Sequence, residues 1–300
     1  MVRLSEEVRE ALSGGGAVVA LESTIIAHGL PRPRNLAVAR ELEAEVRSAG
    51  AVPATIAVLD GEVRVGLDDD GLRRIAGADV VKLSVRDLPL AMAHRSDGAT
   101  TVAATAHLAA GAGIRVFATG GLGGVHRDAR ESWDESADML ALARTPITVV
   151  AAGVKSILDV GATLERLETL GVSVAGWRTS RFPGFYVSDG GFDVEWRVDD
   201  AGEVAAAMRA ADALGVSSAL LVANPIDPEQ QLDPAEHERV LAEGLTRARS
   251  EGITGKAVTP FLLDHLQRAT QGRSLVINIA LARANAAVAA AIANAWGAGR

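Results

Sequence analysis

Short apolar runs alternate with longer amphipathic segments along most of the chain. The runs are rich in Val, Ala and Ile and predict buried strands, at 17–21, 55–59, 80–83, 115–119, 147–151, 172–176 and 219–223. Apolar residues recur at helical spacing between them, which predicts helices at 35–49, 99–112, 134–143 and 157–170. This alternation indicates βαβ units, and therefore an α/β fold with a largely parallel sheet flanked by helices.

Glycines mark the predicted ends of three helices. Gly50, Gly113 and Gly171 each follow an amphipathic segment and precede an apolar run, where helices often end in left-handed backbone. Thr259 and the proline after it predict a helix start, with Thr259 as N-cap. We find no internal repeat and no Pro/Ser-rich linker, and we interpret the polar stretch 227–238 as a surface loop. Residues 1–300 are therefore predicted to form a single domain.

The Ala-rich segment 274–296 is long enough to suggest a membrane span. Asn278, Arg283, Asn285 and Asn294 interrupt it, and such polar side chains are costly in lipid. The apolar run at 17–21 is too short for the core of a signal peptide. We therefore predict a buried or half-buried helix at 274–296, in a soluble, cytoplasmic protein with no membrane partner.

Composition narrows the classes of partner. Of the 300 residues, 48% are hydrophobic and only 3% aromatic, which suits a large core but not a surface that stacks on nucleic-acid bases. The net charge of −8, with no dense Lys/Arg run, would repel a nucleic-acid polymer. A small phosphorylated metabolite held in a local basic pocket remains compatible. The absence of cysteine excludes disulfides, thiolate nucleophiles and thiolate-bound zinc.

Candidate chemistry lies where predicted strands end, since ligands bind open α/β sheets beyond the carboxyl ends of their strands. Glu22 follows the first apolar run, Lys82 closes a later one, and Lys155 follows the run at 147–151. A glycine-rich loop with His126 follows another strand, although its spacing is not that of a dinucleotide site. Each feature alone is typical of a surface charge, a turn or a structural histidine. Their convergence on one edge of the sheet predicts an active site.

Asp134 and Asp138 are four residues apart, so we expect them to share one face of the predicted helix at 134–143. Acidic residues also suit a helix N-terminus without any ligand. The alternative is a hard divalent cation held by one carboxylate and several waters, as Mg²⁺ and Mn²⁺ often are. The spacing leaves both interpretations open.

Most of these candidate residues lie within stretches that resemble the pseudouridine-5'-phosphate glycosidase family, also called the indigoidine synthase A-like family. The stretches are in order and span about residues 17 to 292, at 21–29, 82–89 (KLSVRDLP), 98–105 (GATTVAAT), 116–127 (VFATGGLGGVHR), 136–138, 155–159 (KSILD), 182–186 (FPGFY), 255–263 (GKAVTPFLL) and 278–281. The resemblance implies the family's α/β/α fold, a homotrimer and a small-molecule substrate.

The resemblance also implies a role for individual residues. It places the family's acid at Glu22, its Schiff-base lysine at Lys155 and its second, substrate-contacting lysine at Lys82. The manganese ligand falls on Asp134, with Mg²⁺ as a possible substitute for Mn²⁺. Further substrate contacts are implied at Thr101, Val102, Thr119, His126, Ser136, Ala137, Asp138 and Asn278.

The implied activity is the reversible cleavage of pseudouridine 5'-phosphate to uracil and ribose 5-phosphate. Paired carboxylates that protonate a leaving oxygen or nitrogen cannot serve here, because the leaving atom is carbon. Glu22 could instead open the ribose ring as a general acid. A neutral Lys155 could then add to C1' and form an imine, with the nearby Lys82 ammonium favouring the neutral amine.

Three residues depart from the family pattern and leave the substrate more open than the reaction type. Asp128 stands where a glycine is expected, Arg32 replaces an aromatic residue, and Trp177 replaces a smaller side chain. A related C-glycosidic lyase or synthase acting on another base is therefore an alternative. A non-catalytic sugar-phosphate-binding regulator would not need a nucleophilic lysine. An N-ribohydrolase is disfavoured by the lysine pair and by the lack of an Asp-rich calcium motif.

Overall fold

A mostly parallel sheet forms the centre of the computed structural model, which describes residues 2–254 and 258–299. In chain order the strands are β1 (Val2–Leu4), β2 (Val18–Glu22), β3 (Val52–Leu59), β4 (Glu62–Val65), β5 (Val81–Leu83), β6 (Gly98–Thr100), β7 (Val116–Ala118), β8 (Thr148–Ala151), β9 (Ser173–Trp177), β10 (Arg181–Phe182), β11 (Phe192–Asp193), β12 (Trp196–Val198) and β13 (Leu220–Ala223). In the sheet they run side by side in the order β1-β4-β3-β2-β7-β8-β13-β9-β12, while β5 and β6 pair with each other and β6 with β3. β10 and β11 form a separate antiparallel pair.

Helices cover both faces of this sheet. Two short helical turns, at Ile25–Gly29 and Val85–Asp87, come soon after β2 and β5. The helices are α1 (Glu6–Ser13), α2 (Arg34–Ser48), α3 (Asp69–Gly77), α4 (Leu88–Ala93), α5 (Val102–Gly111), α6 (Ala129–Ser132), α7 (Ala137–Ala143), α8 (Val160–Thr169), α9 (Ala201–Leu214), α10 (Pro234–Ser250), α11 (Val258–Ala269) and α12 (Arg273–Gly297). The predicted α/β class and parallel sheet are confirmed.

The predicted helix ends are confirmed by their backbone geometry. Gly50, Gly113 and Gly171 have φ angles of 79°, 87° and 69°, a region that L side chains rarely adopt. Each follows its helix and turns the chain into the next strand. Gly50 precedes β3, Gly113 precedes β7 and Gly171 precedes β9. Local backbone sterics were therefore sufficient to locate these boundaries.

The edge beside β3 is antiparallel, which the hydrophobic pattern did not predict. β2 pairs with β3 as far as Ile56, and β6 pairs antiparallel with β3 at Ala57 and Val58. The hydroxyl of Ser23 donates to the carbonyl of Ile56 at 2.7 Å and accepts the amide of Thr100 at 2.8 Å. These bonds bring the end of β6, and thus the start of α5, next to the end of β2.

Helix α12 is long and apolar enough to span a membrane, yet half of its most apolar stretch is buried within the molecule. It packs against β2, β7 and β8 and against α2 and α9. Its core face consists mostly of small residues, which allow a helix to approach a sheet closely, with Ala282, Ala286, Ala289, Ala290 and Ala293 all buried. The prediction of a half-buried core helix is confirmed.

Some predicted boundaries were wrong. Asp134 does not lie on a helix with Asp138, because Trp133 adopts a left-handed conformation (φ 58°) that ends α6, and Ser136 caps α7. The segment 99–112 begins as strand β6 rather than helix, since the amide of Thr100 is bonded to Ser23.

Two other boundaries near the C-terminus also shift. Residues 234–238, interpreted as loop, form the first turn of α10. Thr259 lies inside α11, one residue after Val258, rather than before the helix. The part of the GKAVTPFLL stretch at 255–257 lies outside the described residues.

Candidate active site

A cavity of about 380 Å³ opens where the ends of β2, β5, β6 and β8 come together. Most of the side chains that the sequence singled out line it, although they come from distant parts of the chain. They are Glu22, Lys82, Thr101, Val102, His126, Asp134, Ser136, Ala137, Asp138 and Lys155. The convergence of strand ends therefore produces one concave site with an acid, two lysines and a histidine.

Glu22 is the last residue of β2 and is buried. Burial raises the pKa of its carboxyl, an effect opposed in part by the nearby Lys155 ammonium and by a hydrogen bond from Thr119. Desolvation favours the neutral form of an acid. A carboxylic acid that keeps its proton closer to neutral pH can act as a proton donor.

Thr119 and Asn278 are not among the side chains that line the cavity. The hydroxyl of Thr119, just after β7, donates to Oε1 of Glu22 from behind it. Asn278 is buried in α12. Its Oδ1 lies close to Gly120, because a Cβ added at Gly120 would be 3.3 Å from that oxygen. The geometry therefore places both residues in support of the site rather than at its surface.

Lys155 is positioned by a loop that is tied to the glycine-rich segment. Its amide donates to the carbonyl of Leu122, and the amide of Leu122 donates to the carbonyl of Gly153, both at 3.0 Å. Gly153 has a φ of 78°, and an added Cβ there would lie 2.4 Å from the carbonyl oxygen of Pro183. Only glycine fits this turn, which brings the lysine from the end of β8 to the cavity.

Asp138 links two elements of the site. Its Oδ1 accepts the amide of Ala103 at 3.0 Å and its Oδ2 accepts the amide of Gly123 at 2.8 Å. The side chain is buried, so these charge-assisted bonds are formed away from competing water. Asp138 thereby holds the start of α5, with Thr101 and Val102, against the glycine-rich loop.

Asp134 lies in the loop before α7, with its Oδ2 3.8 Å from Nδ1 of His126. The amide of His126 also donates to the carbonyl of Asp134 at 3.0 Å, which ties the two loops together. Within residues 2–254 and 258–299, no three His, Asp or Glu side chains form a metal cage. A single, partly exposed carboxylate facing the cavity suits an Mn²⁺ or Mg²⁺ ion that keeps most of its water ligands. It does not suit an ion whose ligands are mostly protein side chains.

Further residues line the cavity that the sequence had not singled out. The resemblance stretches contained several of them, and the KLSVRDLP stretch alone carries Ser84, Arg86 and Asp87. These three residues lie in or next to the helical turn Val85–Asp87, where Ser84 and Asp87 form a capping box. The further lining residues are Thr24, Ser84, Arg86, Asp87, Gly123, Glu135, Leu158 and Thr259.

Comparison with known proteins identifies the family of this chain. The family model described as indigoidine synthase A like protein matches residues 7–295. The chain belongs to the indigoidine synthase A-like family. This family member is similar to the pseudouridine-5'-phosphate glycosidase of Frankia alni, with 64% identity over 98% of this chain and 82% of that protein. It is also 64% identical to the protein of the same name from Salinispora tropica, over 97% of this chain and 91% of that one.

Solved structures show the same indigoidine synthase A-like fold. The crystal structure of the prealnumycin C-glycosynthase AlnA in complex with ribulose 5-phosphate matches with a TM-score of 0.93 and 39% identity, covering 100% of this chain and 98% of that one. An indigoidine synthase A-like protein from Thermotoga maritima matches with a TM-score of 0.89 and 34% identity, covering 98% and 96%. The predicted family and fold are confirmed.

Proposed function

We propose that this family member is a pseudouridine-5'-phosphate glycosidase, which breaks the C1'–C5 bond between ribose 5-phosphate and uracil. Relatives that carry this name are 64% identical over nearly the whole chain. The observation that carries the mechanism is the placement of Glu22, a buried acid with a raised pKa, on the same cavity as Lys155.

The first step opens the ribose ring. Protonated Glu22 donates its proton to the ring oxygen, and the C1'–O bond breaks. The opened sugar becomes conjugated with the pyrimidine, and C1' becomes electrophilic. Burial of Glu22 raises the pKa of its carboxyl and so favours the protonated form, and the Thr119 hydroxyl orients the carboxyl.

The second step uses the lysine as a nucleophile. Neutral Lys155 adds through Nζ to C1', and the C1'–C5 bond then breaks. Its electron pair passes to the uracil ring, which takes up at C5 the proton that the Nζ ammonium of the adduct releases, and the sugar remains as an iminium on Lys155. The bond cleavage is therefore of the lyase type, and water enters only when it releases ribose 5-phosphate. The same steps in reverse would join uracil to ribose 5-phosphate.

The phosphate end of the substrate requires a local positive site, because the protein as a whole is acidic. Arg86 and Lys82 line the cavity beside Thr101 and Val102, where α5 begins. A helix N-terminus and a guanidinium both favour phosphate oxygens. The glycine-rich loop with Thr119 and His126 is the alternative location, but the Thr119 hydroxyl is already bonded to Glu22. We therefore place the phosphate at Arg86.

A divalent ion fits the mechanism as an accessory. Asp134 would hold Mn²⁺ or Mg²⁺ with His126 beside it, and such an ion supplies oriented water and charge for the phosphate end. Asp134 itself faces the cavity, and Asp138 keeps the glycine-rich loop next to it. The acid and the nucleophile remain residues of the chain.

Borohydride trapping tests the mechanism. Reduction during turnover of pseudouridine 5'-phosphate, or with ribose 5-phosphate alone, is expected to leave a stable adduct on the peptide that carries Lys155. The chain contains only three lysines, at 82, 155 and 256, so mass spectrometry assigns the adduct unambiguously. Lys155→Ala should lose trapping and uracil release together.

Glu22→Ala separates the ring-opening step of the reaction from formation of the imine. It should abolish uracil release but still allow slow trapping of ribose 5-phosphate, because the free sugar opens its ring unaided. An adduct on Lys82 would reverse the two lysine roles. An active wild-type enzyme that forms no adduct would show that the imine mechanism is wrong.

A related activity on another base is the second candidate. It is favoured by the likeness to AlnA, which is a C-glycosynthase and is 39% identical. The departure Asp128 comes two residues after His126 of the cavity lining and is paired with Arg249 at 3.0 Å. Release of uracil from pseudouridine 5'-phosphate, measured by chromatography, supports the glycosidase. Failure to release it, with borohydride trapping of ribose 5-phosphate intact, would support the other base.

A further inference from the structure

A buried asparagine of α12 contacts the backbone just behind the site. Nδ2 of Asn285 donates to the carbonyl of Thr119 at 2.7 Å and to that of Gly120 at 3.3 Å. Its Oδ1 accepts a hydrogen bond from Nδ2 of Asn224 at 2.9 Å. The backbone amide of Asn224 in turn donates to the carbonyl of Ala151 at 2.8 Å. One fully buried amide side chain therefore ties α12 to the ends of β7, β8 and β13.

The backbone that Asn285 holds leads directly to the general acid. The carbonyl of Thr119 is bonded to Asn285, and the hydroxyl of the same residue donates to Glu22. The next two residues are glycines, and the backbone of Gly121 packs closely against Phe185, since an added Cβ would lie 2.5 Å from the ring. Backbone bonds to β8 and the residue after it hold this turn, from the amide of Thr119 to Val150 and from the amide of Ala152 to Gly120, both at 3.0 Å. Asn285 adds the bond to the carbonyl of Thr119.

We propose that Asn285 is a positioning residue for the general acid, which keeps the Thr119 hydroxyl on the Glu22 carboxyl. This inference rests on the proposed function, in which Glu22 donates the first proton. Without Asn285, the buried carbonyl of Thr119 loses the donor that this side chain supplies, whereas the carbonyl of Gly120 still accepts the amide of Ala152. Leaving a buried carbonyl unpaired is costly. The peptide at Thr119 then shifts, and the hydroxyl leaves the carboxyl.

Loss of that hydroxyl has two measurable consequences. The carboxyl is no longer oriented toward the ring oxygen, so kcat falls while KM changes little, because the cavity surface is intact. The hydrogen bond from Thr119 lowers the pKa of Glu22, so its loss raises that pKa further. A general acid works only while protonated, and the alkaline limb of kcat/KM therefore moves to higher pH.

The test is a double-mutant cycle with Asn285→Ala and Thr119→Val, followed by uracil release across a range of pH. Each single variant is expected to lower kcat by about tenfold to a hundredfold, the range for a displaced catalytic group. Both should move the alkaline limb upward, and the double variant should be no worse than the more severe single. The charged groups that act on Glu22, namely Lys155, Asp138 and Lys82, are unchanged throughout.

Asn294 provides a matched control in the same helix. Its Nδ2 donates to the carbonyl of Ala49 at 2.7 Å, remote from the cavity. Asn294→Ala should lower Tm while leaving kcat and the pH limb unchanged. Asn285→Ser retains a hydrogen-bond donor and should recover part of kcat if Asn285→Ala folds poorly.

The outcomes separate this inference from the proposed function. An Asn285→Ala variant that loses Tm as Asn294→Ala does, with its pH limb unmoved, would overturn the positioning role. Effects of Asn285→Ala and Thr119→Val that add independently would do the same. A wild-type enzyme that releases no uracil would overturn the proposed function, and the positioning role with it.

Discussion

At the scale of single residues, Glu22 combines a functional advantage with a cost in stability. Burial raises the pKa of its carboxyl, although Lys155 and the Thr119 hydroxyl oppose this effect. The folded protein therefore binds a proton at Glu22 at pH values where the unfolded chain has lost it. By linkage, Glu22 contributes stability at low pH that is lost as pH rises through its folded-state pKa.

Glu22→Gln should reveal this cost. Glutamine has a similar shape and does not titrate, so the difference in Tm between the variant and wild type should grow as pH rises above the ordinary range for Glu. Thermal unfolding in a series of buffers measures it. Glu165→Gln, an exposed change on α8, serves as the control. A difference that stays constant with pH, or shrinks, would contradict the raised pKa.

Asp134→Ala should remove the metal dependence of the enzyme. We expect the variant to fold but to lose most activity, and a chelator to have the same effect on wild type. Mn²⁺, or less effectively Mg²⁺, should restore the chelated wild type but not the variant, and calorimetry should detect Mn²⁺ binding only to wild type. Glu131→Ala, an exposed change on α6, is the control. Full activity in metal-free buffer would exclude the metal role.

Arg86→Ala should weaken selectivity for the phosphorylated substrate. The guanidinium lines the cavity and is largely exposed, so its removal costs binding rather than folding. We expect kcat/KM to fall for pseudouridine 5'-phosphate by roughly tenfold to a hundredfold, the worth of a charged hydrogen bond, and to change little for pseudouridine. Arg209→Ala, an exposed change on α9, should alter neither. Equal losses for both substrates would place the phosphate elsewhere.

At the scale of elements, the glycine-rich loop is held between α5 and α7. Asp138 of α7 binds the amide of Gly123 in the loop and the amide of Ala103 in α5. An added Cβ at Gly123 would lie 2.2 Å from Oγ of Ser136 and 2.7 Å from Oδ2 of Asp138. Close approach of the backbone to these side chains, rather than an unusual φ angle, is therefore why the position is glycine.

Gly123→Ala should separate the loop from α7. We expect a loss of about 1–3 kcal/mol in the free energy of unfolding from overpacking, together with a larger loss of activity because His126 and Asp134 move. Gly111→Ala is the matched control. It lies at the end of α5 with nothing within 4 Å of an added Cβ, and alanine favours helix. Denaturant unfolding and uracil release, measured on both variants, decide the outcome. Unchanged activity in Gly123→Ala would refute this account of the loop.

At the scale of the whole molecule, several large side chains are exposed on the single chain. Trp133 is 86% exposed, Leu214 80% and Trp196 72%, and apolar side chains of this size often mark contact surfaces. The family resemblance implies a homotrimer, so light scattering should give about three times the chain mass of 31.0 kDa. Trp196→Glu should reduce the assembly more than the control Arg209→Ala. A species at the chain mass alone would contradict the trimer.

Seven of the described strands, the helical segments between several of them, and the placement of Glu22 and Lys155 at strand ends could be predicted from the sequence. Strand and helix periodicity, and the glycines that end helices, depend on neighbouring residues and on backbone sterics, which the local sequence contains. The same local reasoning failed at Asp134, where Trp133 takes a left-handed conformation and Ser136 starts a new helix. Periodicity alone does not register such a break.

Only the tertiary structure determined how the site is supported. Thr119 contacts Glu22 rather than the cavity, and Asn285 holds Thr119 although 166 residues separate them. In the sequence, Asn285 was only a polar interruption of an apolar helix. Its partners depend on which face of α12 packs on the sheet, and on the strand order that places β7 beside β2 and β8. These contacts are set by packing between distant segments, which local patterns of polarity do not specify.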